Sequence, residues 1–143
     1  MKKLMIAASA LLFSLAVWAA EPNEKVLESF RKTFTNASDI VWNEVDDRFE
    51  VKFLHNSIST RVSYDQDGNI LRTVRYYYEE SLPILIRMKV QNKFKGLKVY
   101  GVTESTADGE VSYHIVLHDE TNWVIVDSDA YGYIKVDKKF KKA

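Results

Sequence analysis

Residues 49–71, FEVKFLHNSISTRVSYDQDGNIL, decide the fold. Apolar and polar side chains alternate along two runs, 49–53 and 58–64, with His55-Asn56 between them. Such alternation is typical of strands with one face on a core, and a short turn joins two such strands into an antiparallel hairpin. Asp67-Gly68 follows as another turn, so a further antiparallel strand is predicted after it.

The same succession, a helix followed by four strand-like runs, occurs over residues 23–78 and again over 81–138. The first helix is predicted to begin near Asn23, a good N-cap, with Pro22 inside the first turn as the alternative. The second is predicted to begin at the N-cap Ser81 with Pro83 in its first turn. Their apolar stripes recur at helical spacing and consist of Val26, Leu27, Phe30 and Phe34 in the first helix and Leu85, Ile86, Val90 and Phe94 in the second.

The two units align with small shifts. Asp65–Ile70 is echoed by Asp127–Ile134, the 49–53 run matches 111–115 at a separation of 62, and Val41-Trp42 matches Val99-Tyr100 at 58. The difference falls in the first hairpin, which is longer in the second unit. The predicted fold class is α+β: a tandem α-β4 arrangement with one eight-stranded antiparallel sheet, two helices on one face and the other face open.

Residues 1–20 have the pattern of a secretory signal peptide. Met1-Lys2-Lys3 is basic, Leu4 to Trp18 is uncharged and mostly apolar, and cleavage is predicted after Ala19 or Ala20. The apolar stretch is short for a membrane span, and the chain has no cysteine that could carry a lipid anchor. The remaining domain is residues 21–143, and localisation is predicted as periplasmic or secreted, with no stable membrane insertion after cleavage.

Bulk composition excludes several functions. Without Lys2 and Lys3 the chain keeps 18 basic and 20 acidic side chains, which gives no electrostatic reason to expect nucleic acid as a partner. The absence of cysteine excludes disulfides, thiol nucleophiles and thiolate metal sites. A hydrophobic fraction of 46% is ordinary for a globular domain.

Several motifs together resemble the PepSY-like secreted proteins. They are the leader, the phenylalanine-rich first helix, Val41-Trp42, Asp67-Gly68-Asn69-Ile70-Leu71 and Ser81-Leu82-Pro83. The resemblance covers nearly the whole of 21–143. It implies a fold similar to that of the β-lactamase inhibitory protein and an exported binding or inhibitor-like module. It implies neither β-lactamase inhibition nor any catalytic residue.

No catalytic or metal site is predicted. His114 and His118 lie about 13 Å apart along one strand, too far for a shared metal ion. The loops from Asp65 and Asp127 lack the bidentate glutamate that ends an EF-hand loop, so they are interpreted as turns. No Gly-x-Ser-x-Gly elbow or phosphate-binding glycine run occurs. The chain is predicted not to be an enzyme and to need no cofactor, although a carboxylate pair acting on a glycoside stays formally open.

The open sheet face carries the predicted binding site. Glu50, Lys52, Arg61 and Ser63 give the first unit a polar surface there, and the second unit is more aromatic and apolar. Tyr77 is predicted to point to this face, with Tyr76 and Tyr78 facing the helices. Exposed aromatic surfaces often mark contact sites. The predicted partner-binding residues are Trp123, Ile125, Tyr133, Tyr77, His114 and His118.

The leading hypothesis is an exported, non-enzymatic module that engages a protein or peptide through this open face. The alternative is a periplasmic carrier that holds a small apolar ligand between sheet and helices, which predicts a cavity of about 300 Å³ or more.

Overall fold

The structure is a computed structural model that describes residues 21–143; the predicted signal peptide and its cleavage site lie outside these residues. Eight strands form one antiparallel sheet whose spatial order is the order of the chain. The elements are α1 (Glu24–Thr33), β1 (Ala37–Val45), β2 (Arg48–His55), β3 (Ile58–Tyr64), β4 (Ile70–Tyr77), a 3₁₀ turn (Glu79–Ser81), α2 (Ile84–Lys93), β5 (Lys98–Ala107), β6 (Glu110–His118), β7 (Asn122–Asp129) and β8 (Ile134–Lys141). The predicted α-β4 pattern is confirmed.

Both helices pack on the same face of the sheet and leave the other face open. Val26 and Phe30 of α1 pack on a first core cluster formed by Phe49, Val51, Phe53, Val62 and Tyr64. Ile86 and Val90 of α2 pack on a second cluster, whose strand residues are Tyr77, Val102, Tyr113, Ile115, Leu117, Val124, Val126 and Ile134. The two open edges of the sheet are β1 and β8.

The two helices begin differently. Asn23 caps α1 as predicted, because its side-chain oxygen accepts a hydrogen bond from the Val26 backbone N–H at 3.0 Å. The prediction for α2 is wrong by a few residues: Ser81 ends the 3₁₀ turn, and Pro83 is the N-cap. Leu82, just before α2, is buried, whereas Leu85, predicted to lie on the packed stripe, is 49% exposed.

Four bulges interrupt the alternation of the strands. The extra residue is Leu71 in β4, Tyr100 in β5 and Asp137 in β8. A fourth shift lies in β1 between Ser38 and Val41, where Asp39 has a φ of 53°. Since each extra residue exchanges the two faces of the strand, alternation counted through a bulge gives the wrong side.

The strand pairing also corrects the alignment of the two units. Trp42 of β1 pairs with Val51 of β2, and Val102 of β5 pairs with Ile115 of β6 in the same way. The strands β1 and β5 therefore correspond at a separation of 60 residues, and β2 and β6 at 64. The turn at Asp65 corresponds to the turn at Asp129, not Asp127: in each turn the aspartate carbonyl accepts a hydrogen bond from the glycine N–H three residues later. The longer first hairpin of the second unit, between β5 and β6, accounts for the difference, as the sequence indicated.

Candidate functional site

The strand pairing brings four of the six predicted contact residues together on the open face. His118 of β6 lies directly opposite Trp123 of β7, and Val116 lies opposite Ile125. His114 lies opposite Asp127, and its Nδ1 is 2.8 Å from an Asp127 carboxylate oxygen. Direct cross-strand neighbours share a face, and the residues between them point to the helices and are buried. His114, His118, Trp123 and Ile125 therefore occupy the open face.

An aromatic cluster, consisting of Tyr100, His118 and Trp123, stands on this face. The Trp123 and His118 rings stack with centroids 5.2 Å apart, and Tyr100 meets both rings edge-on at 5.0 and 5.7 Å. Tyr100 is the extra residue of the β5 bulge and is 58% exposed. Such edge-to-face contacts stabilise aromatic pairs by about 0.5–1.5 kcal/mol. The three rings thus hold one another in place.

Lys142 covers one side of the aromatic cluster. Its Nζ lies 4.6 Å from the centroid of the Trp123 ring and 3.0 Å from Nδ1 of His118. An ammonium group can only donate, so in this geometry Nδ1 of His118 accepts the hydrogen bond. Lys98, Asp119 and Glu120 line a depression of about 650 Å³ beside it. The cluster therefore has an apolar centre and a charged rim.

A groove next to the cluster gives the face a concave part. Its volume is about 470 Å³, and it is lined by Leu54, Ser57, Ser59, Tyr76, Tyr77, Tyr78, Tyr100, Gly101, Val102, Thr103 and Val116. Tyr76 and Tyr78 are 42% and 71% exposed. At Gly101, an added Cβ atom would meet nothing within 4 Å, so the missing side chain helps to keep the groove open. This feature is called the tyrosine groove below.

The Tyr77 side chain packs on the helix side of the sheet, although the residue also borders the tyrosine groove, and the predicted orientation of the three tyrosines is wrong. Tyr77 is 7% exposed and packs with the core beneath α2, whereas Tyr76 and Tyr78 are the exposed pair. The cause is the bulge at Leu71: Tyr64 pairs with Ile70, but Ser63 pairs with Arg72. The extra residue reverses the alternation in the rest of β4.

Tyr133 also lies away from the aromatic cluster. It follows the turn between β7 and β8 and lines a depression with Lys89 and Lys93 of α2, at the opposite end of the β7–β8 hairpin from Trp123. The prediction extended the alternation of β7 through this turn. Tyr76 and Tyr100 lie on the open face instead. The bulges in β4 and β5 put them there, and these bulges could not be recognised in the sequence.

A polar group on the helix face separates the two core clusters. The Tyr77 hydroxyl donates a 2.6 Å hydrogen bond to Glu104, and Arg75 lies 3.1 Å from the same carboxylate. Burial, with this hydrogen bond as the second cause, raises the pKa of Tyr77, and burial raises the pKa of Tyr113 and Tyr64 as well. These phenols stay neutral at physiological pH, so the arrangement stabilises the fold and offers no activated nucleophile.

Metal chemistry has no support among the described residues. Within residues 21–143, no group of three or more His, Asp or Glu side chains is placed to hold a metal ion. The Asp65 carboxylate instead accepts hydrogen bonds from the backbone N–H groups of Asp67 and Asn69, and Asp129 does the same for Tyr131 and Tyr133. Both loops are therefore turns held by an aspartate side chain, as predicted, although the aspartate that holds the second is Asp129 and not Asp127.

None of the helices in residues 21–143 has the length and apolar character needed to cross a bilayer.

Comparison with known proteins identifies the fold. No protein-family model matches this sequence, and no curated protein does. The structure is similar to that of a BLIP-like protein from Bacteroides fragilis, with a TM-score of 0.67 and 14% sequence identity over 87% of this chain and 90% of the other.

Two further solved structures resemble it to a similar degree. A candidate periplasmic protein from Bacteroides eggerthii has a TM-score of 0.63 at 15% identity, over 85% of this chain and 90% of the other. A DUF2874 family protein from Bacteroides ovatus has a TM-score of 0.64 at 15% identity, over 85% of this chain and 89% of the other. The chain therefore has the BLIP-like fold.

Proposed function

We propose that this chain is an exported, non-enzymatic binding or inhibitor-like module that engages a protein or peptide through the open face of its second unit. The aromatic cluster of Tyr100, His118 and Trp123, standing beside the tyrosine groove, carries the proposal. Trp and Tyr are the side chains that most often anchor protein interfaces, because they bury a large area at a low cost in conformational entropy. His114 and Ile125 extend the contact surface along β6 and β7.

The neighbouring first unit suggests the chemistry of the partner. Lys52 and Arg61 lie directly opposite each other on the open face, and Arg72 lies across from Ser63 one strand further. Like charges opposite one another repel, and an acidic partner segment would relieve that repulsion. The best-fitting partner therefore inserts an apolar side chain into the tyrosine groove and places acidic groups over the first unit.

Export and family membership belong to the same proposal. Residues 1–20 act as a signal peptide, 21–143 form a PepSY-like domain, and the protein works in the periplasm or outside the cell. The leader sequence supports this, as does the fold shared with a candidate periplasmic protein. The carrier alternative has less support. Side chains such as Val51, Val62 and Ile115, each 0% exposed, fill the space between sheet and helices. The depression of about 440 Å³ at the end of α2 is lined mostly by polar side chains, which do not suit an apolar ligand.

The experiment compares partner capture by matched variants. Purified protein is immobilised, envelope and secreted proteins are passed over it, and retained proteins are identified by mass spectrometry. Trp123→Ala should weaken binding of the true partner by at least about 1–2 kcal/mol. Tyr131→Ala is the control, because Tyr131 is 83% exposed but lies beside α2 and not on the open face.

A second variant fills the groove without removing a contact. Gly101→Leu places a side chain where an added Cβ meets nothing within 4 Å, so the fold should tolerate it while the groove is occupied. Loss of the same partner in Trp123→Ala and Gly101→Leu, with retention by Tyr131→Ala, supports the proposal. A partner that all three variants retain equally would remove the open face from consideration.

A further inference from the structure

Helix α2 is apolar on its solvent side as well as on its packed side. Ile86 and Val90 face the sheet and are 0% and 2% exposed, whereas Ile84, Leu85 and Met88 are 60%, 49% and 53% exposed. At about 100° per residue, Met88 points away from the side that Ile86 and Val90 bury. Ile84 and Leu85 flank Met88 one turn earlier. The outward aliphatic side chains therefore contribute little to the core.

Helix α1 provides an internal comparison, because it occupies the equivalent place in the first unit. The positions 60 residues before Ile84, Leu85 and Met88 are Glu24, Lys25 and Glu28. Glu28 forms a 2.6 Å ion pair with Lys32, and Lys25 forms a 2.7 Å ion pair with Asp67. The same packing role is thus compatible with a fully charged outer surface. The exposed aliphatic residues of α2 are not required by the fold.

Basic side chains outnumber acidic ones around these aliphatic side chains, where the Glu79 carboxylate accepts a 2.7 Å hydrogen bond from the Gln91 side chain. Residues 84–98 contain five basic and no acidic side chains, while the equivalent 24–38 contain three basic and two acidic ones. Arg87 lies on one flank of the aliphatic group and Lys89 on the other, with Lys93 one turn after Lys89 and nearer the sheet. The Nζ atoms of Lys89 and Lys93 donate to the backbone carbonyls of Tyr131 and Ile134 at 3.0 and 3.1 Å. Among residues 21–143, no salt bridge neutralises a basic residue of α2.

The positive surface continues beyond the helix. One depression, of about 590 Å³, joins Lys89 and Lys93 to Tyr131 and Tyr133. Another, of about 440 Å³, joins Lys93 and Lys95 to Lys139 of β8. Tyr131 and Tyr133 are 83% and 75% exposed. Tyrosine prefers the boundary between hydrocarbon and water, and lysine can extend its ammonium group to phosphate while its stem stays in an apolar layer.

We propose that the outer surface of α2 is a docking site for a bilayer that carries anionic phospholipid headgroups. Ile84, Leu85 and Met88 enter the boundary between headgroups and acyl chains, and Arg87, Lys89 and Lys93 bind the phosphates around them. Helices with an apolar side between basic flanks bind membranes in this way, through buried apolar area together with attraction to anionic lipid. A rigid acidic protein would satisfy the lysines, but it would need a matching groove for three aliphatic side chains on a convex helix.

This site is independent of the proposed function of the open face, which lies on the other side of the sheet. A protein docked through α2 would present the aromatic cluster and the tyrosine groove away from the bilayer. The two surfaces could then act together, one holding the protein at an envelope membrane and the other engaging the partner.

Flotation with vesicles tests the docking site. The protein is recovered from an export-competent host, so that the leader has undergone its normal processing. It is mixed with vesicles of phosphatidylcholine alone or with vesicles in which about a third of that lipid is replaced by phosphatidylglycerol. We expect at least about tenfold stronger partitioning to the anionic vesicles.

Two variants and a charge-matched control separate specific docking from general attraction. Met88→Glu, which installs the residue type found at the equivalent place in α1, should lower partitioning by about tenfold. The double variant Arg87→Gln with Lys89→Gln should lower it by more than about tenfold, at about fivefold for each basic side chain. The control Lys25→Gln with Lys32→Gln removes the same charge from α1 and should stay within about twofold of the wild type.

A single-cysteine label gives an independent reading. The chain has no cysteine, so Met88→Cys can carry one environment-sensitive fluorophore, with Glu28→Cys as its counterpart on α1. The emission of the Met88→Cys label should shift to the blue with anionic vesicles, and that of the Glu28→Cys label should not. Absence of that shift overturns the proposal. Equal losses of vesicle binding in the α1 and α2 charge variants would also overturn it. A third contrary result would be binding to soluble poly-glutamate that is as strong as binding to vesicles and is unchanged by Met88→Glu.

Discussion

Removal of one phenolic hydroxyl should have opposite effects at two tyrosines of the helix face. Tyr64 is 0% exposed, and its hydroxyl is a buried polar atom without a hydrogen-bond partner among residues 21–143. Tyr77 is nearly as buried, but its hydroxyl donates a 2.6 Å hydrogen bond to Glu104. The substitutions Tyr64→Phe and Tyr77→Phe delete the same atom from similar surroundings. The main difference at the hydroxyl is the hydrogen bond.

The expected sizes follow from the cost of leaving a buried polar group unpaired. An unpaired buried hydroxyl costs about 1–3 kcal/mol, so Tyr64→Phe should raise the free energy of unfolding by about 1 kcal/mol. A hydrogen bond to a charged group contributes about 1.5–3 kcal/mol, so Tyr77→Phe should lower the free energy of unfolding by about 2 kcal/mol. Glu104 keeps Arg75 at 3.1 Å, which limits the loss. The two variants should therefore differ by about 3 kcal/mol.

Urea unfolding followed by circular dichroism measures both variants against the wild type. An unchanged slope with a higher midpoint for Tyr64→Phe and a lower one for Tyr77→Phe is the expected result. If Tyr64→Phe is the destabilised variant, its hydroxyl has a partner in solution and the reasoning fails. The pair also has a pH signature. Burial raises the pKa of both phenols above 10.0, so their contribution is complete below that pH and is lost as the pH rises further.

Two other substitutions test turns of the fold. Gly68→Ala should lower the free energy of unfolding by about 2 kcal/mol more than Gly109→Ala in the same urea assay. Both glycines have positive φ, but of the two only Gly68 would bring the new Cβ to 2.7 Å from the Lys25 carbonyl oxygen. Equal losses in the two variants would contradict the predicted clash. Hydrogen bonds, first from the Thr121 backbone N–H, lower the pKa of Asp119 from 3.8 to about 2. The contribution of the Asp119 carboxylate to stability is therefore present above about pH 4 and lost as the pH falls towards 2. In Asp119→Asn the thermal midpoint should depend less on pH across this window. A pH dependence equal to that of the wild type would refute the assignment.

Much of the fold was predictable because its signals are local. Alternation in 49–53 and 58–64 identifies strands, and short Asx-Gly turns leave antiparallel neighbours as the only arrangement. The side of the sheet was predictable for as long as the alternation ran unbroken, as it does from Val111 to Leu117. The bulges at Leu71 and Tyr100 could not be predicted, because a bulge depends on how two strands pair and not on the residues of one strand.

The candidate site was predictable in the same measure. His118 and Trp123 lie on uninterrupted stretches of β6 and β7, and the sequence placed both on the open face. Tyr77 and Tyr133 lie beyond a bulge or a turn, and both were misplaced. The start of α2 was predicted too early because a Ser-Leu-Pro stretch satisfies the rules for an N-cap, whereas the chain forms a 3₁₀ turn over Glu79–Ser81 first. Hydrophobic spacing alone also assigned Leu85 to the core, since it cannot separate a packed from an exposed aliphatic residue.

The strands at the two ends of the sheet bear on how the protein behaves when it is concentrated. Within the part of the chain that the structure describes, both β1 and β8 leave a row of backbone donors and acceptors without a neighbouring strand. A second copy that approached β8 would meet four lysines in residues 138–142, and one that approached β1 would meet the kink at Asp39. End-to-end polymerisation is therefore opposed by electrostatic repulsion at one end and by backbone shape at the other.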